Sequence, residues 1–193
     1  MRVIQEKSVF LAKQDLKTLR DKLIWFRHQV DKNTKDFTQG LIEIKVNREN
    51  LIQDSMKNFL DITDLRKEIK IVYENELSFD AGGLSRDFYT SIMKELLSQN
   101  LGLFSVASTP EFSYKVNEDS KHIDNHRTLF LFFGKILAKA LFDNIPVNVC
   151  LNKSIFKTLL GYDKESDYSN LEDFKNIDYN VRKFRANLIY IDI

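Results

Sequence analysis

The chain has 193 residues, 43% of them hydrophobic and 12% aromatic, enough apolar material to build the core of one domain or two closely joined subdomains. Its 29 basic and 28 acidic residues nearly cancel, so no long-range field favours nucleic acid or an anionic membrane, and partner choice is left to shape. A single cysteine excludes an intrachain disulfide and a cysteine-built zinc site.

That cysteine count fits a reducing compartment. No run nears the roughly 20 apolar residues of a membrane span, and charged residues enter the first seven positions before any apolar stretch of signal-peptide length. The expectation is a soluble intracellular protein, cytoplasmic and with the nucleus open to it, that takes neither nucleic acid nor membrane as partner.

From about Gln5 to Val30, Phe10, Leu11, Leu16, Leu19, Leu23, Ile24, Phe26 and Val30 recur near helical spacing among charged residues, which predicts a long amphipathic helix. The patch Leu23 to Phe26, with Trp25, is its expected docking face, and Asp31 to Asp36 is expected to be a solvated loop. Residues 1–36 thus form an N-terminal helix and loop ahead of a main body at 37–193. Ile42, Ile44 and Val46 alternate with Glu43 and Lys45 as a half-buried strand. Leu51, Ile52, Ser55, Met56, Phe59 and Leu60 return to helical spacing, with Asn50 as expected N-cap. Ile69, Ile71 and Tyr73 form a second strand.

That strand leads into Glu76–Phe88. Paired Gly82 and Gly83 there predict a tight turn whose dihedrals a Cβ would resist. No Lys-Ser or Lys-Thr follows them, so a phosphate cradle is set aside. Leu84, Phe88, Ile92 and Leu96 then form an i, i+4 row in a helix over Leu84–Gln99. Leu103–Ala107 and Phe112–Val116, around Ser108-Thr109-Pro110, read as a small hairpin, and Asn117 to Ser120 as a polar loop.

Ile123–Asn144 is the most apolar run; a helix apolar all round must be surrounded by protein. Gly134 and Ala138 are expected to leave a groove for a neighbouring helix. Leu151–Leu160 predicts another short helix stopped by Gly161. Ser169 and Glu172 have capping-box spacing for a helix near 170–176. Tyr179–Ile193 is expected to be helical at first and to finish on Ile-Tyr-Ile-Asp-Ile, an ending that reads as a cut chain. The fold class is mainly α with short β-strands and hairpins (α+β), built on a central buried helix.

Chemistry is sparse in this pattern. Cys150, the one thiol, sits among Val147, Asn148, Val149 and Leu151 and is expected to be a buried structural residue. His122 and His126 stand at i, i+4, but without the intervening glutamate of a metalloprotease helix; metal binding is set aside and no cofactor is implied. His28 has no evident partner. No Ser/His/Asp set, carboxylate pair or dinucleotide fingerprint stands out.

Several segments nevertheless carry a family likeness. Phe79-Asp80-Ala81-Gly82-Gly83-Leu84-Ser85-Arg86-Asp87-Phe88 resembles the Asp-x-Gly-Gly-x-x-Arg-Glu-Phe/Trp signature of HECT-type ubiquitin ligases. Asn100–Phe104 resembles the family's Tyr-Gly-Leu-Phe segment, Asn117–Ser120 its Asn-Pro-x-Ser loop, and Phe133–Asn144 its central helix. Phe156–Gly161 and Leu171–Tyr179 resemble two further elements in the same order, and Val46–Asn50 fits the family's opening. Glu118 stands where the family usually has Pro, and Asp87 where it has Glu.

The resemblance implies the large subdomain of a HECT N-lobe, with Asp80, Gly82, Gly83, Arg86, Phe88 and Gly134 as structural signature residues. It stops near Ile193, before the family's subdomain for the ubiquitin-conjugating enzyme and before the lobe with the catalytic cysteine, a role not carried onto Cys150. The implied activity is that of an E3 ubiquitin transferase, in which ubiquitin passes as a thioester from a conjugating enzyme to the ligase and then to a lysine of a protein substrate. This segment would serve as platform, inactive alone, and Phe112 as a ubiquitin contact. A non-catalytic HECT-like scaffold is the alternative reading.

Overall fold

The computed structural model describes residues 18–35, 38, 40–74, 76, 83–107 and 112–160. Helix α1 (Leu19–Asn33) starts at a capping box: the Asp21 amide donates to Thr18 Oγ1 at 3.1 Å and the Thr18 amide to Asp21 Oδ2 at 3.0 Å. This satisfies two backbone donors that a helix start leaves open. Thr18 is extended, so the described part of the helix expected over 5–30 starts at Leu19; residues 5–17 of that reading lie outside the described residues. The docking face is also shifted. Leu23 and Ile24 are 50% and 60% exposed, Trp25 and Phe26 are half-buried, and Val30 is the buried residue of the helix.

Strands β1 (Ile42–Val46) and β2 (Ile69–Tyr73) pair in parallel, Ile42 opposite Ile69 through Val46 opposite Tyr73. Parallel strands need a crossover, which α2 (Leu51–Asp61) supplies. The expected alternation is present: Ile44, Val46, Ile71 and Tyr73 are buried, while Glu43, Lys45 and Lys70 face out. Asn50 stands at the N-cap position of α2, as expected, but its side chain makes no capping hydrogen bond. A 3₁₀ turn at Arg48–Asn50 precedes the helix, and Asn47 caps that turn by accepting from the Glu49 amide at 2.9 Å.

Helices α3 (Gly83–Leu96) and α4 (His126–Phe142) complete the core with α2. Phe88 of α3 stacks on Phe59 of α2, centroids 6.0 Å apart, and Phe132 of α4 meets Phe59 edge-on at 6.1 Å. All three side chains are fully buried, and aromatic pairs in these geometries add about 0.5–1.5 kcal/mol beyond area burial. One ring on each helix therefore locks the three together.

Strands β3 (Phe104–Val106) and β4 (Tyr114–Val116) form the expected hairpin, antiparallel. The segment after α4 returns beside it, Tyr114 bridging Leu151, and leads to α5 (Lys153–Leu160), which Asn152 opens by accepting from the Ser154 amide at 3.0 Å. Mainly helical with short strands, this is the α+β class read from the sequence. Asp80, Gly82, Gly161 and the helices expected beyond it lie outside the described residues. Among the described residues no helix is long and apolar enough to cross a membrane.

Helix α4 departs from expectation in one respect. Its inner face, Leu129, Phe132, Phe133, Ile136 and Ala140, is buried, but Leu131, Gly134, Ala138 and Leu141 form an exposed stripe among the described residues. A Cβ added at Gly134 would meet nothing within 4 Å, so the expected Gly134–Ala138 groove holds no described helix. The helix begins at His126, three residues after the expected start, and Asn117–Ser120 is not an open loop but leads into a 3₁₀ turn over Glu118–His122.

Candidate functional site

The hairpin presents an apolar surface on a fixed base. Along β3, Phe104 turns inward against Phe130 and Phe133 of α4, at 5.5 and 4.8 Å, while Val106, Val116 and Phe112 are 37%, 44% and 59% exposed. The rings of Phe112 and Tyr114 meet edge to face at 5.1 Å. Period-two geometry and the register, Phe104 opposite Val116 and Val106 opposite Tyr114, put Phe112, Tyr114 and Val116 on the same face as Phe104, exposed where α4 does not cover it.

Hydrogen bonds at both ends hold this surface. The Tyr114 amide donates to the Cys150 carbonyl at 2.7 Å, and the Asn152 amide to the Tyr114 carbonyl at 2.8 Å. Beneath them the buried Asn152 amide group donates to Ser113 Oγ at 3.1 Å. At the other end Asn117 Nδ2 donates to the Gly102 carbonyl at 2.8 Å, and its Oδ1 accepts from the Asp119 amide. Gly102 takes φ +74°, where a side chain is strained.

Two lysines of α4 tie that helix to the end of α2 and to the segment before β2. Lys135 Nζ donates to the carbonyls of Phe59, Leu60 and Ile62 at 3.2, 3.0 and 3.4 Å, placing a cation on acceptors that the end of α2 leaves open. Lys139, 1% exposed, donates to the Lys67 carbonyl at 2.9 Å and to Asp143 Oδ1 at 2.6 Å. Tyr89 of α3 donates to Asp143 Oδ2 at 3.4 Å. Burial pushes the Asp143 carboxyl up from its ordinary value, against the pull of Lys139, and pushes the Tyr89 phenol up as well.

Arg48 spans the flanks of the glycine junction. Its guanidinium bonds Glu76, just after β2, and lies 2.8 Å from Asp87 Oδ2 on α3. The same group sits 3.9 Å above the Tyr73 ring, a cation–π arrangement.

The residues singled out from the sequence separate as follows. Phe88 is fully buried in the aromatic lock. Gly83 is the first residue of α3 and lacks the positive φ that a glycine-dependent turn needs. Arg86 is exposed, with its carbonyl accepting from Thr90 Oγ1. His122 ends the 3₁₀ turn and His126 begins α4, so they do not share a helix. Cys150 is exposed, contrary to the expected burial. The extended run 145–151 turns Ile145, Val147, Val149 and Leu151 inward and leaves Asn148 and Cys150 outside.

The sequence reading missed Tyr114, Arg48, Lys135 and Lys139 as organising residues. Lys135 and Lys139, four apart in an otherwise apolar run, were the available signal.

The family description "HECT-domain (ubiquitin-transferase)" matches residues 90–192, just over half of the chain. The E3 ubiquitin-protein ligase HUWE1 of Mus musculus is 28% identical over 169 residues, covering 86% of this chain and 4% of the relative. The E3 ubiquitin-protein ligase UPL2 of Arabidopsis thaliana is 26% identical over 156 residues, 80% of this chain and 4% of the relative. The probable E3 ubiquitin-protein ligase hulA of Aspergillus niger is 26% identical over 176 residues, 90% of this chain and 20% of the relative. By this match over more than half of its length the chain belongs to the HECT ubiquitin-transferase family. It spans a fifth or less of the length of these relatives.

Proposed function

We propose that residues 37–193 act as the large N-lobe subdomain of a HECT-type E3 ubiquitin ligase, with 1–36 leading into it. The chain would work as a platform in a relay that receives ubiquitin as a thioester from a conjugating enzyme and delivers it to substrate lysines. The HECT match over residues 90–192 carries this reading. The aromatic lock and the two lysine anchors support it, because a relay gains rate from parts held in fixed geometry. The cytoplasm, with the nucleus as extension, is the proposed setting.

The Phe112–Tyr114 surface is the proposed ubiquitin contact, as an exposed aromatic on a well-anchored hairpin is a good anchor for a protein partner. NMR titration of the chain with ubiquitin tests this. Shifts confined to residues 104–116 and lost in Phe112→Ala support it; shifts elsewhere, or none at millimolar ubiquitin, overturn it.

A further inference from the structure

Helix α1 is attached to the body differently from α3 and α4. Those helices bury five and six residues respectively, whereas α1 buries one, Val30, and exposes Leu19, Leu23 and Ile24 by 74%, 50% and 60%. Two cavities, of about 610 and 500 Å³, both border Arg27 and Asn144, where α1 passes the end of α4. Arg27 Nη1 donates to the Leu141 carbonyl at 3.0 Å, a cation on the negative end of α4. Just past α1, the Lys35 amide donates to the Arg66 carbonyl at 3.2 Å and Lys35 Nζ pairs with Asp64 at 2.7 Å. Among the described residues the attachment is thus concentrated at one end and is largely polar.

Elements with few buried apolar contacts open at lower free energy than the core. We propose that α1 is a latch, pinned by Arg27, that opens from the body as a unit while the α2–α3–α4 core stays folded. Opening removes Arg27, the one α1 residue in the wall, from the larger cavity, whose apolar lining includes Leu137, Leu141, Val147 and Phe156.

Hydrogen exchange of the 193-residue chain, followed by mass spectrometry at neutral pH, tests this. Amides of residues 23–33 are expected to exchange well before those of α3 and α4. Arg27→Ala is expected to speed α1 alone, by about three- to tenfold, the effect of one modest hydrogen bond. Exchange of α1 in step with α4 in the unaltered chain would overturn the latch. So would an Arg27→Ala variant in which α1 is unchanged, or in which α1 and α4 accelerate together. Should that variant not fold, the comparison of α1 with α4 in the unaltered chain decides.

Discussion

Lys139 places its ammonium 2.6 Å from Asp143 Oδ1, one helical turn away, and all but 1% of Lys139 is buried. The pair joins the end of α4 to the carbonyl of Lys67 and to the hydroxyl of Tyr89. Removing one member of a buried pair strands the other. Lys139→Met is expected to cost about 2–3 kcal/mol, discounted because the Asp143 side chain keeps 25% exposure. Urea denaturation measures it, and a loss below about 0.5 kcal/mol, the level of an ordinary surface change, would show that the pair contributes little.

The same carboxylate sets a pH dependence. Burial raises the Asp143 pKa above the ordinary 3.8, so the folded chain keeps this proton to higher pH than the unfolded chain does. Its contribution to stability is full below the unfolded value and is lost as pH rises through the folded one. The stability of the unaltered chain minus that of Asp143→Asn is therefore expected to fall as pH rises above the ordinary carboxylate value. A difference that rises with pH would contradict the burial argument.

Glycine substitutions separate real constraints from apparent ones. Gly102→Ala is expected to destabilise, since φ is +74° and Ile123 Cδ1 would lie 3.2 Å from the new carbon. Gly134→Ala, in an open helical position, is expected to stabilise by about 0.5–1 kcal/mol. Thermal melts of both variants check this, and equal shifts would contradict it.

Arg48→Ala removes the link from Glu76 to Asp87 and exposes the Tyr73 ring. Because Arg48 is 45% exposed, the expected loss is only about 1 kcal/mol, largest at low salt. Denaturation at two ionic strengths measures it; a salt-independent loss would indicate packing over charge.

What the sequence made legible follows where burial has a period. Ile44, Val46, Ile71 and Tyr73 showed period two, and Phe88, Ile92 and Leu96 showed a helical row, and both patterns are real. Apolar content alone misled at α4, because counting Leu131 and Leu141 as core ignores that Lys135 and Lys139 turn inward to carbonyls. Cys150 was misjudged for a related reason. The alternation of Ile145, Val147, Val149 and Leu151 puts it on the outer side of an extended segment, and here period outweighs residue type. Arg48's partners lie 28 and 39 positions away, a pairing that no local pattern encodes. The central helix ends at Phe142, two residues before the expected Asn144. Asn144 takes φ 58°, and the Ile145 amide donates to Ala140 and the Asn144 amide to Leu141, the bonding of a Schellman stop with Asn in place of Gly.

The central proposal is that this segment places the parts of a ubiquitin relay and contributes no reactive sulfur of its own. The most direct test mixes the 193-residue chain with a ubiquitin-charged conjugating enzyme and resolves the products without reductant. The account predicts no thiol-reducible ubiquitin adduct, although Cys150 is open to solvent. An adduct that forms on the chain and disappears in Cys150→Ser would contradict it.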